Sequence, residues 1–440
     1  MLSRRLGGLI GCIVGASLVL AISPAWAGGG GDMRVANHAE AYVQQGESYQ
    51  AIFEDIWGKV NEHFYDPNFA GVNWREVRDR YRPQVMAIQD DAAFLALMTR
   101  MLRELPVSHL GVRPPVGEQR FNIPLNWRRI DGQLIVSAGA LPSDAYRQGL
   151  RPGDLILTPP ENLRGVLGSA TNIQVRGCDG RERTAQVRIG RFLSTPLAPR
   201  VSWSIYEQQP GQRIGYLRVA EFADGVVPLI DTAMSELGET SALIIDVRDN
   251  PGGNASFIRL ASYFLSGQNL VAALMMRPAL ERFHRAPDQI DPTTLPRATR
   301  TYTTAEVFRA LRSNNGAVAL YSEDLGNRVY RGRVVVLIND YTGSAAEGFA
   351  GFMKARTRAT LIGSTTAGQL LGGQPINVRG GWSLVIPTHA AWGPDGRPTI
   401  DRPTTPHIEV PLTREDMCDR RDAVYLRALD FLEQGSGRQN

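Results

Sequence analysis

The sequence predicts an α/β protein: a helical N-terminal region, a small β-rich module after it, and a core of strands alternating with helices. Three patterns carry this. From about Val201 onward, continuous apolar runs alternate with helical patterns, as expected for strands covered on both faces. Between about residues 116 and 196 the apolar runs are short and separated by turn signals. From Ala51 to about Leu105 the apolar residues recur at helical spacing.

Taken in order, residues 1–27 read as a signal peptide. Arg4 and Arg5 precede an apolar run from Leu6 to Ile22, and Ala25-Trp26-Ala27 supplies a small-x-small exit. Cleavage is expected after Ala27, giving an exported, periplasmic or secreted protein with no stable membrane insertion. An uncleaved anchor and a lipoprotein box at Leu9-Ile10-Gly11-Cys12 are the alternatives. Residues 28–50 read as a flexible leader. In the helical region 51–115, Phe53, Ile56, Trp57, Val60 and Phe64 form one apolar stripe, and Phe94, Leu95, Met98, Met101 and Leu102 form another. Pro106 ends the second helix, and Ser108 to Val112 reads as a turn into a strand. The module at 116–196 holds strand-like runs at Leu134–Val136, Leu155–Leu157, Ile173–Val175 and Ala185–Val187, with Asp131-Gly132 and Asp179-Gly180 as turns. The core, 197–415, is expected to contain strands at Ile214–Val219, Ala242–Val247 and Val334–Ile338. Its helices are expected at Val227–Leu237, Ala255–Leu265 and Ser344–Arg356. The proline-dotted stretch 268–330 reads as an insertion of helices and loops, and 416–440 as a C-terminal helix and tail.

The 440 residues are ample for several domains, and 43% hydrophobic with 21% charged residues is globular composition. The net charge of +4 is small and spread out, which speaks against a nucleic-acid partner. Only Lys59 and Lys354 are lysines, so catalytic bases must come largely from other residue types. Export would leave Cys178 and Cys418 in an oxidising compartment, but a separation of 240 positions says nothing about their proximity.

Chemistry concentrates in three segments. The run Val334 to Glu347 leads a buried strand into Thr342-Gly343-Ser344 at the start of a helix, where the helix dipole and unpaired N–H groups surround the hydroxyl. Such donors suit the oxyanion of a tetrahedral intermediate, although Ser344-x-x-Glu347 is equally the signature of a helix-capping box. The run Asp246 to Asn254 leads a second buried strand into Gly252-Gly253. There a backbone N–H can approach a carbonyl closely, or the glycines merely make a tight turn. Ser108-His109 offers an imidazole, the usual base for an activated serine, or else one more structural histidine among six.

Together these segments resemble the carboxyl-terminal-processing and tricorn-type serine peptidases. The likeness rests on Asp246-x-Arg248-x-Asn250-Pro251-Gly252-Gly253, Gly343-Ser344-Ala345-Ala346-Glu347 and Gly363-x-x-Thr366-x-Gly368. Leu150-Arg151-Pro152-Gly153-Asp154 adds a likeness to the bacterial PDZ domain. The resemblance implies a crotonase/ClpP-like spiral α/β core with an inserted β-rich PDZ-like domain. It implies cleavage of protein or peptide substrates with no cofactor and no metal. It implies Ser344 as nucleophile and an oxyanion hole from Gly252, Gly253 and Ala345. The branch with a serine–lysine dyad has lysine where this chain has Gln369. The tricorn-like branch uses a Ser-His pair, matched by Ser108-His109, so His109 is the expected base and Ser108 its orienting neighbour. That branch also carries a late carboxylate. His407 occupies the expected aspartate position; Asp401 is the first candidate for the supporting carboxylate and Asp395 the second. A catalytically inactive peptide-binding scaffold on the same fold is the alternative reading. A simple esterase is disfavoured by the absence of Gly-x-Ser-x-Gly around Ser344. A crotonase-type acyl-CoA enzyme is disfavoured by the signal peptide.

Overall fold

The computed structural model describes residues 48–115, 120–137, 143–190, 200–209, 211–283, 289–370, 372–399 and 402–434. The signal peptide and nearly all of the leader lie outside these, as does Asp401. Among the described residues no helix is long and apolar enough to cross a membrane.

The core is a six-stranded sheet in the order Ile408–Glu409, Thr360–Gly363, Arg333–Ile338, Ala242–Asp246, Gln212–Val219, Val201–Gln209. The first five strands run parallel, and the last pairs antiparallel as a hairpin edge. Alternate residues go to opposite faces. Leu243, Ile245, Val336 and Ile338 pack with Ile230, Met234, Phe349, Phe352 and Met353, whereas Ile244, Val335 and Leu337 pack with Val424, Ala428 and Leu432. The first set puts helices Val226–Leu237 and Ala345–Arg356 on one side, and the second puts Ala423–Gln434 on the other. This is why the strands read as unbroken apolar runs. The Gly252-Gly253 loop and the Ser344 turn leave this sheet at the C-terminal ends of adjacent parallel strands, Ala242–Asp246 and Arg333–Ile338.

Three helices, Tyr49–His63, Trp74–Val85 and Asp91–Leu102, make the N-terminal region; Ser48, Asn73 and Asp90 cap them. They share one apolar cluster with a second, four-stranded sheet of Arg297–Ala298, Ala317–Tyr321, Leu270–Met276 and His389–Trp392. The expectation that 268–330 holds only helices and loops is therefore corrected. Leu270–Met276 and Ala317–Tyr321 are apolar strands paired with each other, which the surrounding prolines obscure in the sequence. A third sheet joins Gly111–Arg113 to Ser383–Pro387 and Gly373–Asn377, and so carries the segment after His109 to the core.

The module forms a five-stranded antiparallel sheet of Trp127–Ile130, Gln133–Val136, Leu155–Ile156, Ala170–Arg176 and Glu182–Arg188, around its own apolar cluster. Asp131-Gly132 makes the first hairpin turn with both φ angles positive, 49° and 77°. Buried Arg128 reaches from the module to two core loops. It donates to Asp340 at 2.6 Å and to Asp249, and lies 4.3 Å over the Tyr341 ring. Elsewhere the module is stapled covalently: Cys178 and Cys418 form a disulfide, so the two cysteines left open by spacing alone are paired. Arg414 adds hydrogen bonds to the carbonyls of Gly153 and Gly177.

Candidate active site

The turn at Ser344 is built from the strand end outward. Buried Thr342 donates its hydroxyl to the Val247 carbonyl at 2.9 Å and accepts from Asn339 N, pinning one loop to the next. Asn339 and Asp249 exchange bonds of 3.0 and 3.1 Å, and Gly343 N donates to the Asn250 carbonyl at 2.9 Å. Ser344 then adopts φ 51° and ψ −119°, directly before helix Ala345–Arg356. Ser344 closes a capping box with Glu347, as Ser-x-x-Glu suggests, but does so from a backbone that departs from the extended conformation of ordinary N-caps. A conformation of this kind costs on the order of 1–3 kcal/mol and is kept where the surroundings enforce it. Glu347, fully buried, is part of the enforcement. Its Oε2 accepts from Ser344 N at 3.1 Å and from Gln369 N at 2.6 Å, and its Oε1 accepts from Thr366 Oγ1 at 2.6 Å and Gly368 N at 2.7 Å.

The second loop is equally determined. Buried Asp246 accepts from Tyr216 Oη at 2.7 Å and from Arg248 Nη2 at 2.7 Å, while Arg248 also reaches Asp422 at 2.7 Å. Burial alone would lower the Arg248 pKa; the two carboxylates more than offset this and raise it. Buried Asn250 donates to the Val219 carbonyl at 3.0 Å and accepts from Gly252 N at 2.8 Å. That last bond narrows the oxyanion assignment. Gly252 N–H is directed at its own loop, so Gly252 supplies room rather than a donor. A Cβ there would stand 2.6 Å from Ser344 Cβ and 2.8 Å from Ala345 N. The Gly252 carbonyl and Asn254 N bond to Phe222 on either side of Gly253, so the Gly253 N–H faces away from that bridge. Ala345 N opens a helix and has no intrahelical acceptor. The N–H groups of Gly253 and Ala345 are thus left over by the backbone pairing of this loop and of the helix start.

His109 follows the third helix at φ 56°, and its Nδ1 lies 3.0 Å from Ser108 Oγ. It lines, with Ser344, Ala345 and Gly253, one cavity of about 520 Å³. Its walls are mixed: Phe257, Leu274, Val307 and Trp392 give an apolar part, and Glu347, His389, Asp395 and Arg397 a polar one. The lysines are elsewhere: Lys354 Nζ donates to the Thr405 carbonyl at 2.7 Å and Lys59 to Asp55 at 2.8 Å. Gln369 is exposed. Asp395 lines the cavity but its Oδ1 accepts from Arg397 N at 3.1 Å, closing a local turn. His407 Nδ1 accepts from Leu361 N at 3.0 Å, a sheet-edge bond. Sequence reasoning set aside His389, which lines the same cavity; nothing in its local motif context marked it.

With this geometry in hand, the comparisons give the class and then the family. A model described as "Peptidase family S41" matches residues 213–410, and one described as "Tricorn protease C1 domain" matches 45–103. The chain is 25% identical over 418 residues to a carboxyl-terminal-processing protease of Synechocystis sp., covering 88% of this chain and 87% of that one. It is 24% identical over 252 residues to a putative tricorn protease homolog 2 of Streptomyces coelicolor, 49% of this chain and 21% of that one. In fold it is similar to the photosystem II D1 C-terminal processing protease, with TM-score 0.54 and 18% identity over 85% of this chain and 97% of the other. Mature CPAF is likewise similar, with TM-score 0.59 and 16% identity over 86% and 96%. The protein is a serine-type peptidase. It carries a peptidase family S41 domain and a tricorn protease C1 domain, and its relatives are carboxyl-terminal-processing and tricorn-type proteases.

Proposed function

We propose that the chain is an exported endopeptidase that cleaves protein or peptide substrates through an acyl-enzyme on Ser344. His109 accepts the hydroxyl proton as Oγ attacks the scissile carbonyl, and the oxyanion is held by Gly253 N–H and Ala345 N–H. The C–N bond then breaks, and His109 returns the proton to the departing amine. Water, deprotonated by the same imidazole, adds to the acyl carbonyl, and Ser344 leaves with that proton. Ser108 orients His109, with Asp401 as the supporting carboxylate and Asp395 as its alternative. The inserted module is a PDZ-like domain on a crotonase/ClpP-like core.

The observation that carries this reading is the sharing of one cavity by Ser344 and His109, 235 positions apart in the chain. The serine's left-handed backbone supports it, since strain of that kind is retained where chemistry needs an exposed hydroxyl. A serine-directed fluorophosphonate tests it. Stoichiometric labelling of Ser344, lost in Ser344→Ala and slowed in His109→Gln, is the expected result. A folded protein that takes no label would return the assignment to a peptide-binding scaffold.

A further inference from the structure

Two imidazoles face the reaction cavity, and the mechanism above uses only one. His389 opens strand His389–Trp392, pairs with Met276 across the second sheet, and sets its ring edge-on to Phe308 at 6.4 Å. Between His389 and His109 passes the backbone of Gly372-Gly373. A Cβ on Gly372 would lie 2.6 Å from His389 Cε1 and Nε2, and one on Gly373 would lie 2.9 Å from His109 Cβ. The two glycines are thus the thinnest partition a polypeptide can provide, and they leave the histidines as neighbours across it. Thr388 Oγ1 lies 3.4 Å from His389 Nδ1. Among the described residues, the other titratable or charged side chains lining the cavity are Glu347, Asp395, Arg397 and Arg402.

From this juxtaposition we infer that His389 is a positioning residue for the peptidase reaction: it acts through His109 and steadies the imidazolium formed when Ser344 attacks. The inference rests on the assignment of His109 as base. A neutral imidazole keeps one ring nitrogen with a lone pair, which can face a cation without repelling it. His389 meets that condition, because burial first and the neighbouring His109 second push it down to about 4, so it is uncharged at neutral pH. It takes no proton in the cycle; the proton travels from Ser344 to His109 and on to the leaving amine. Replacing it by an apolar side chain would leave His109 to become charged against hydrocarbon, whereas an amide would preserve an acceptor at the same place.

The test uses fluorophosphonate labelling of Ser344 and hydrolysis of a peptide substrate, each followed from pH 5 to 9, in wild type, His389→Gln, His389→Leu and His389→Glu. Expected are near-native kcat in the Gln variant and roughly tenfold lower kcat at unchanged KM in the Leu variant, because hydrocarbon replaces a polar group near the imidazolium. In the Glu variant the acid limb should rise by about one pH unit, because an anion beside His109 favours its protonated form. That shift checks that position 389 lies within electrostatic reach of His109; rescue of kcat by Gln but not by Leu is the readout that packing alone would not give. If wild type labels at Ser344 but all three variants share its kcat and pH profile, His389 plays no part and the inference falls. If wild type does not label, the assignment of Ser344 and His109 falls with it. Circular dichroism and the thermal midpoint of each variant separate a lost fold from a lost function.

Discussion

At the scale of single residues, the site depends on side chains whose geometry is imposed from outside their own segment. Ser344→Ala should lower peptidase activity at least about 10³-fold with little change in stability, measured by peptide hydrolysis alongside thermal unfolding. His389 gives a pH-dependent prediction of a different kind. Its imidazole is held down to about 4 in the folded protein against 6.5 for the free side chain. The unfolded chain therefore binds a proton between those values that the native chain does not. The sign follows: this contribution to stability is complete above about pH 6.5 and is lost as the pH falls toward 4, by up to about 3 kcal/mol. Chemical denaturation at pH 7 and pH 5 should show a smaller decline in His389→Gln than in wild type. Ser344 was legible in the sequence because Gly343-Ser344-x-x-Glu347 sits where a buried strand meets a helix. The larger role of Glu347 was not, since Thr366, Gly368 and Gln369 reach it only after the chain has crossed another strand.

At the scale of elements, two adjacent parallel strands deliver two loops to one point, and the loops lock each other through Asn339, Asp249, Asn250 and Thr342. Gly252 is where they touch. In Gly252→Ala the new methyl would meet Ser344 Cβ at 2.6 Å, and φ would remain at 102°, a region side chains avoid. The expected outcome is a loss of about 1–3 kcal/mol in stability and at least about 10²-fold in labelling rate, because the nucleophile turn must shift to make room. The strands and helices around these loops were readable from periodicity. Strands Leu270–Met276 and Ala317–Tyr321 were not read as such, because pairing partners far away decided their state and no local signal did.

At the scale of the whole molecule, the inserted module is held to the core by an ion cluster and by a covalent bond. Arg128 gathers Asp249 from the glycine loop and Asp340 from the nucleophile loop, although burial pulls its own pKa down. Arg128→Ala should loosen both loops together. Since the two carboxylates are about half exposed, the stability loss should stay near about 1–2 kcal/mol, while kcat falls about tenfold. Removing the staple acts differently. Cys178→Ser with Cys418→Ser, or treatment with a thiol reductant, should cost about 2–5 kcal/mol in unfolding free energy, read from thermal scans with and without reductant.

By itself the sequence determined the α/β character of the core, the β-rich module, the strand-to-helix turn at Ser344 and the glycine loop. Each of these is written in neighbouring residues, as a period, a turn or a short motif. Only the tertiary structure decided that His109 and Ser344 share a cavity, that Gly252 N–H donates to Asn250, that Cys178 meets Cys418, and that a second imidazole lines the same cavity. Those facts are distances between segments tens to hundreds of residues apart. Such distances are set by how sheets and helices bury their apolar faces, a property of the packed chain that no stretch of it carries alone.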